Sequence, residues 1–212
     1  STQMQVMINS LNQMPLSDNK LSGSAGISVL MANSLMFQRF PTHAGYDDPQ
    51  LANFYGLALP FLKQGVPVKT VHIENLGFKE ALTETKVLLM TYANMKPLDP
   101  VAHEQLAAWV KAGGQLIYCG TDKDPFQTVQ EWWNSQGNTY PAAADHLFEK
   151  MGIAAGAAEG LYTFGKGAVQ IVRVDPKDFV LKTNHNQQLI SMAQARYQAA
   201  TGSSLAFKNN FY

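Results

Sequence analysis

The chain of 212 residues holds one cysteine, Cys119, which closes an apolar run typical of a buried strand. A cysteine at a strand end can act as the nucleophile of a hydrolase where the strand turns sharply into a helix, and small residues two positions to either side relieve the crowding. Here Ile117 and Thr121 occupy those two positions. We therefore predict a buried structural thiol, with catalysis by Cys119 as the alternative.

Polar side chains follow three predicted strands, at the edge of the sheet where parallel sheets bind ligands. Asp122 and Asp124 stand just behind Cys119 and could act as an acid and a base. A Thr-Asp-x-Asp-Pro turn before the next helix explains both residues equally well. The loop at 37–46, behind the first strand, fits either a binding loop or an interdomain contact. The ligand-binding candidates are Asn33, Arg39, His43, Tyr46, Tyr92, Asn94, Asp122 and Asp124.

Two adjacent tryptophans, Trp132 and Trp133, could stack on a sugar ring. Neighbouring residues of a helix point about 100° apart, so we predict one ring in the core and the other at a partner interface. The five histidines lack the spacing of metal ligands, and no metal site is predicted. The helical count places His103 on the exposed side of its helix.

Charge and hydropathy restrict the classes of partner. Sixteen Lys and Arg residues balance sixteen Asp and Glu residues, and charged residues make up only 15% of the chain. This balance offers no electrostatic footprint for nucleic acid or an anionic membrane, and we predict neither as a partner. The apolar runs fall short of the roughly 20 residues that span a bilayer, and the first residues lack the order of a signal peptide. We expect a soluble chain of unassigned compartment.

The sequence from Lys86 to Gly120 predicts a strand, a helix and a second strand. Because such a crossover pairs its strands in parallel, helices must cover both faces of the sheet. We predict a flavodoxin-like, doubly wound parallel sheet in three αβα layers, with its first and third strands adjacent at the centre. The predicted strands lie at 26–33, 67–73, 86–92 and 115–120, with a late strand behind a hairpin turn at Gly165-Lys-Gly167.

Helical spacing of apolar residues predicts the covering layers. The predicted helices lie at 3–14, from Asp48 to Gly65, from Asp99 to Gly114 and at 184–200, with short helices around Trp132 and from His146 to Met151. In the second helix the buried stripe is predicted to be Leu51, Phe54, Tyr55, Ala58, Phe61 and Leu62. The first strand lacks a Gly-x-Gly-x-x-Gly turn and the chain lacks a Walker motif, so no cofactor is predicted.

The Asp-Pro helix that ends Trp109-Val-Lys-Ala-Gly-Gly114, between two apolar strands, resembles the class I glutamine amidotransferase-like fold. More narrowly, the pattern is similar to the β-galactosidase trimerisation domain, which follows the catalytic barrel in some glycoside hydrolases. The late strand, between Gly165-Lys-Gly167 and Asp175-Pro176, fits the same family, so that the resemblance covers about residues 26 to 176. The His-x-Glu pair of the catalytic amidotransferases is missing, since two residues separate His146 from Glu149.

The resemblance implies a non-catalytic accessory or assembly domain of a carbohydrate-active, glycoside hydrolase-like protein. Its partners would then be other domains of a parent chain and further copies in a homo-oligomer, with carbohydrate as a ligand. Two alternatives stay open. One is a cysteine-dependent, amidotransferase-like hydrolase that uses Cys119, and the other is a small-molecule binding domain that uses the loop behind the first strand.

Both ends of the chain are apolar, whereas termini are usually polar and loosely held. Met4, Met7, Ile8, Leu11 and Met14 line one face of the first predicted helix, and the chain ends on Phe-Tyr. We expect an excised middle piece of a larger protein, associating through these segments or through Trp132-Trp133. The alternative is a complete domain whose ends dock on it. Its segments would be 1–25 (helix and linker ending a preceding domain), 26–204 (α/β domain) and 205–212 (start of a following segment).

Overall fold

The computed structural model describes residues 2–13, 25–36 and 51–207. The three loop candidates Arg39, His43 and Tyr46 lie outside the described residues, as do the predicted helix start at Asp48 and the C-terminal aromatic pair.

The described residues contain one six-stranded sheet in the order β2-β1-β3-β4-β6-β5. The strands are β1 (Ile27–Met31), β2 (Val68–His72), β3 (Val87–Met90), β4 (Gln115–Cys119), β5 (Gly160–Phe164) and β6 (Gly167–Val172). Every neighbouring pair is parallel except the hairpin of β5 and β6. The four predicted strands, their parallel pairing and the central contact of β1 with β3 are confirmed.

The late strand behind a turn at Gly165 is also confirmed as β6, whereas its partner β5 was not predicted. β5 alternates between half-buried and exposed residues, as an edge strand does. Its residues Gly160-Leu-Tyr-Thr-Phe164 carry too few apolar side chains for a buried parallel strand.

Helices cover both faces of the sheet, which gives an α/β fold of three layers. The helices are α1 (Thr2–Gln13), α2 (Asn33–Met36), α3 (Ala52–Leu62), α4 (Val101–Lys111), α5 (Ala143–Lys150), α6 (Asp178–Leu181) and α7 (His185–Thr201). α4 and α5 close one core with Leu106, Val110 and Phe148. α3, α6 and α7 close the other with Phe61, Phe179 and Leu189.

The Gly-Gly end of α4 has a packing cause. A Cβ atom on Gly114 would lie 2.4 Å from the indole ring of Trp109, so that only glycine fits where the chain turns back over its own helix. At the other end of α4, the Asp99 carboxylate accepts a hydrogen bond of 2.9 Å from the backbone N–H of Val101. Asp99 and Gly114 therefore have structural roles at the two ends of α4.

The predicted face of α3 is partly wrong. Ala58 and Phe61 are buried, whereas Leu51, Tyr55 and Leu62 are 40–50% exposed. The helix is rotated because Gly56 lies against the backbone of Pro176, where a Cβ atom would come within 2.0 Å of the carbonyl oxygen. The neighbouring Asn53 accepts a hydrogen bond of 3.1 Å from the Lys177 backbone N–H through its side-chain oxygen.

α1 confirms the helix predicted at the start of the chain. None of its residues is buried, and Met4, Met7, Ile8 and Leu11 are 51–64% exposed. Across the described ranges, no helix is long and apolar enough to cross a membrane.

Candidate functional site

The carboxyl ends of β1, β3 and β4 meet at one edge of the sheet, and five predicted site residues lie there. Asn33 turns toward the β2 side, where its side-chain oxygen is 3.3 Å from Nδ1 of His72. Its backbone N–H donates to Glu74 at 2.7 Å. Asn94 lies in the left-handed region, with φ of 60°, and is buried behind β3. Asn33 therefore begins α2, and Asn94 lies in the turn behind β3.

A buried ion pair fills the middle of the edge. The Lys96 side chain is fully buried, and its Nζ donates to the Tyr92 carbonyl at 2.5 Å and to the Asp124 carboxylate at 3.0 Å. Burial lowers the pKa of Lys96, and Asp124 opposes that shift. Asp124 also accepts hydrogen bonds from the Phe126 backbone N–H and from the Gln127 side chain. These bonds cap the short helical turn at Pro125–Thr128. Asp124 thus has the turn-forming role that its sequence context allowed.

Asp122 has a different cationic partner. Arg173, just behind β6, donates from Nη1 to the Asp122 carboxylate at 2.5 Å, and the Tyr118 hydroxyl donates to the other carboxylate oxygen. Burial raises the pKa of Asp122, against the effects of Tyr118 and Arg173. The backbone of Asp122 is left-handed, with φ of 56°. Asp122 and Asp124 are thus each paired with a basic side chain of their own.

A line of hydrogen bonds runs from the sheet toward the surface through Tyr92, His103 and His146. The Tyr92 hydroxyl lies 2.6 Å from Nε2 of His103, and Nδ1 of His103 lies 2.8 Å from Nδ1 of His146. Trp132 and Tyr140 pack edge-on against His146, with ring centroids 5.1 and 5.2 Å away. Burial lowers the pKa of His103 to about 3 and also lowers that of His146, so that both rings are neutral at pH 7.

One assignment of protons gives every hydrogen bond of this line a donor and an acceptor. The Tyr92 hydroxyl needs an acceptor, and burial raises its pKa, so it donates to Nε2 of His103. His103 then carries its proton on Nδ1 and donates to Nδ1 of His146. This leaves the Nε2 proton of His146 as the outer end of the line.

The predicted exposure of His103 is wrong, since the side chain is fully buried. The helix α5 packs over α4 and covers that side. The sequence held a signal for this, because His103 precedes Leu106, Ala107 and Val110 by three, four and seven residues. The position of His146 opposite His103 had no such signal, since it depends on how α5 docks.

Cys119 is fully buried in β4, and burial raises the pKa of its thiol. The burial predicted for this cysteine is confirmed. A hydrolase nucleophile needs the opposite setting, namely access to substrate and a lowered pKa.

Of the tryptophan pair, Trp133 is fully buried and donates from its indole nitrogen to the Gln127 carbonyl at 3.1 Å. Trp132 is half-buried and donates to the Pro97 carbonyl at 2.9 Å. One ring thus lies in the core, as predicted, while the partner predicted for the other stays a prediction. Among the described residues, no cluster of three or more His, Cys, Asp or Glu side chains could hold a metal ion.

Neither a protein-family model nor a curated protein matches this chain.

Proposed function

We propose that this chain is a non-catalytic accessory domain of a carbohydrate-active protein, and that it acts by holding copies of the chain together. In this proposal the fold is the flavodoxin-like, class I glutamine amidotransferase-like fold, close to the β-galactosidase trimerisation domain. The main support is the burial of Cys119, because an amidotransferase-like hydrolase would need that thiol exposed and ionised. The pairing of Lys96, Asp122 and Asp124 with other side chains of the chain agrees with a structural role.

The exposed face of α1 supports the assembly role. A helix of 12 residues is marginal alone in water, and burying each of its large apolar side chains contributes about 1.5–3 kcal/mol. α1 carries no charged residue. A second copy of α1 therefore fits this face without charge repulsion, whereas a charged partner would find nothing to pair with. Met4 and Leu11 are seven residues apart, the repeat of a helix pair.

The assembly role is tested by sedimentation velocity at micromolar concentration. We expect the wild-type chain to associate and a Met7→Ser, Leu11→Ser variant to sediment as a monomer. A matched Asn9→Ser, Gln13→Ser variant, on the opposite side of α1, should associate like the wild type. A monomeric wild type, or a serine variant of the apolar face that still associates, would refute the role of α1.

The hydrolase alternative is tested with the same protein. We expect no glutamine or ester hydrolysis above background, and no difference between the wild type and Cys119→Ser. Hydrolysis that depends on Cys119 would support the alternative. The second alternative, a small-molecule site in the loop at 37–46, lies outside the described residues.

A further inference from the structure

A cleft of about 420 Å³ opens beyond the carboxyl ends of β4 and β6. It lies between the start of α5, the turn at 121–123 and the turn at 156–158. None of the described residues that line it belongs to the exposed face of α1 or to the Tyr92–His103–His146 line. Its main lining residues are Thr121, Asp122, Asp145, Ala157, Ala158 and Arg173.

The ion pair of Asp122 and Arg173 lies at this cleft with unused hydrogen-bonding capacity. Each carboxylate oxygen can accept two hydrogen bonds, and among the described residues each oxygen of Asp122 accepts one, from Tyr118 or from Arg173. Arg173 uses four of its five N–H groups, on Ala157, Gly120 and Asp122. One N–H on Nη2 is left over. The two side chains are 11% and 22% exposed.

Charge balance decides the class of ligand. Asp122 and Asp145 are opposed by Arg173 and Lys123, so the four charged residues that line the cleft cancel. Both oxygens of Asp145 already accept backbone N–H groups, from Ala142 at 3.0 Å and Gly156 at 2.7 Å. An anion would meet two carboxylates and a cation would meet Arg173, whereas a neutral molecule meets neither penalty.

We infer that this cleft binds a neutral polyhydroxylated molecule of monosaccharide size. One hydroxyl donates to Asp122, and an adjacent hydroxyl accepts from Nη2 of Arg173. Such a pair of hydroxyl groups matches a carboxylate and a guanidinium held side by side. This inference goes beyond the assembly role, because a sugar site does not require that the chain associates.

The binding groups are fixed before the ligand arrives. Nε and Nη2 of Arg173 both donate to the Ala157 carbonyl, at 3.0 and 2.6 Å, which holds the guanidinium in one orientation. The Tyr118 hydroxyl, from β4, donates a hydrogen bond to the Asp122 carboxylate and holds it in place. No aromatic side chain is among the described residues that line the cleft, so the ligand lacks a stacking face. We therefore expect a dissociation constant on the order of millimolar.

The test is a titration of the 212-residue chain with galactose, glucose, mannose and myo-inositol up to about 50 mM, a range suited to millimolar affinity. The readout is the set of backbone amide signals in two-dimensional NMR spectra. We expect saturable shifts at 120–123, 156–158 and Arg173 for at least one sugar, and none with inorganic phosphate. If no sugar gives saturable shifts there, or if phosphate does, the inference is wrong.

Two substitutions on one turn make the test specific. Ala158→Trp fills the cleft from an exposed position and should abolish the saturable shifts. Ala155→Trp lies on the same turn but faces a separate cavity, and should leave them unchanged. Equal binding by both variants would overturn the inference. Repeating the titration on the Met7→Ser, Leu11→Ser variant separates sugar binding from association, so either proposal can fail alone.

Discussion

At the scale of single residues, the hydrogen bond that Tyr92 donates decides which ring nitrogen carries the proton in His103 and in His146. Because His103 accepts a hydrogen bond from that hydroxyl on one ring nitrogen, its other ring nitrogen carries the proton and donates to His146. A second proton on His103 would remove the acceptor of Tyr92. Both the hydrogen bonds and the burial of the ring therefore disfavour the charged imidazolium form of His103.

This opposition predicts that stability falls in weak acid. The pKa of His103 is 6.5 in a model peptide and about 3 in the folded chain, so below pH 6.5 the unfolded chain binds a proton that the folded chain excludes. The free energy of unfolding should then decrease by up to about 1.4 kcal/mol per pH unit between pH 6.5 and 3. His146, which faces Lys150, Glu149 and Glu104, shifts in the same direction.

The measurement is urea unfolding at pH 7 and pH 5, on the wild type and on His103→Leu. The leucine variant is expected to be less stable at pH 7 by about 1–3 kcal/mol, because the Tyr92 hydroxyl loses its partner. It should also lose part of the pH dependence. An unchanged pH dependence in His103→Leu would assign the acid sensitivity to other groups.

At the scale of elements, close backbone contacts decide how the helices are rotated on the sheet. α3 turns Gly56 toward Pro176, although Leu51, Tyr55 and Leu62 are thereby exposed. A helix therefore does not always bury its most apolar stripe, because the close approach of a neighbouring turn can fix its rotation. The contact of Gly56 with a backbone oxygen atom is invisible to a count of apolar residues.

We predict that Gly56→Ala destabilises the chain, although alanine favours helices over glycine by about 1 kcal/mol. The new Cβ atom would lie 2.0 Å from the Pro176 carbonyl oxygen, and overpacking of this kind typically costs about 1–3 kcal/mol. Gly77→Ala is the control, since its nearest neighbour is the flexible Gln105 side chain at 3.2 Å. Thermal unfolding compares the two, and equal midpoints would show that α3 shifts freely.

The strands could be predicted from the sequence because each central strand is a continuous apolar run between turn residues. Ile27–Met31 and Val87–Met90 needed no tertiary information. Asp124 at its turn and the burial of Cys119 were likewise accessible from neighbouring residues. The pairs Asp122–Arg173 and His103–His146 were not, because they join residues 51 and 43 positions apart. Contacts between residues so far apart depend on how the helices and turns pack against one another, and the apolar periodicity of a single element does not predict that packing.

At the scale of the whole molecule, β4 joins the two cores. Leu116 and Tyr118 point into the core under α4 and α5, whereas Ile117 and Cys119 point into the core under α3 and α7. β4 also pairs with β3 on one side and β6 on the other. Because both cores pack on this strand, we expect 25–36 and 51–207 to unfold together as one unit.

The single thiol offers the measurement. Alkylation of Cys119 should be negligible in native buffer and should follow the urea transition seen by fluorescence of the three tryptophans, which lie in or against the opposite core. Both probes should give the same midpoint, because both depend on global unfolding. Alkylation well below the fluorescence transition would reveal that the core under α3 and α7 opens separately.

The sealed position of Cys119 also has a consequence for redox chemistry. These 212 residues contain no second cysteine, so no disulfide within them can form or be lost. Oxidation needs an exposed thiolate, and this thiol is both buried and protonated. While the domain is folded, this thiol is therefore indifferent to thiol oxidants and reductants alike, and the stability of the domain should be equal in reduced and in oxidised glutathione.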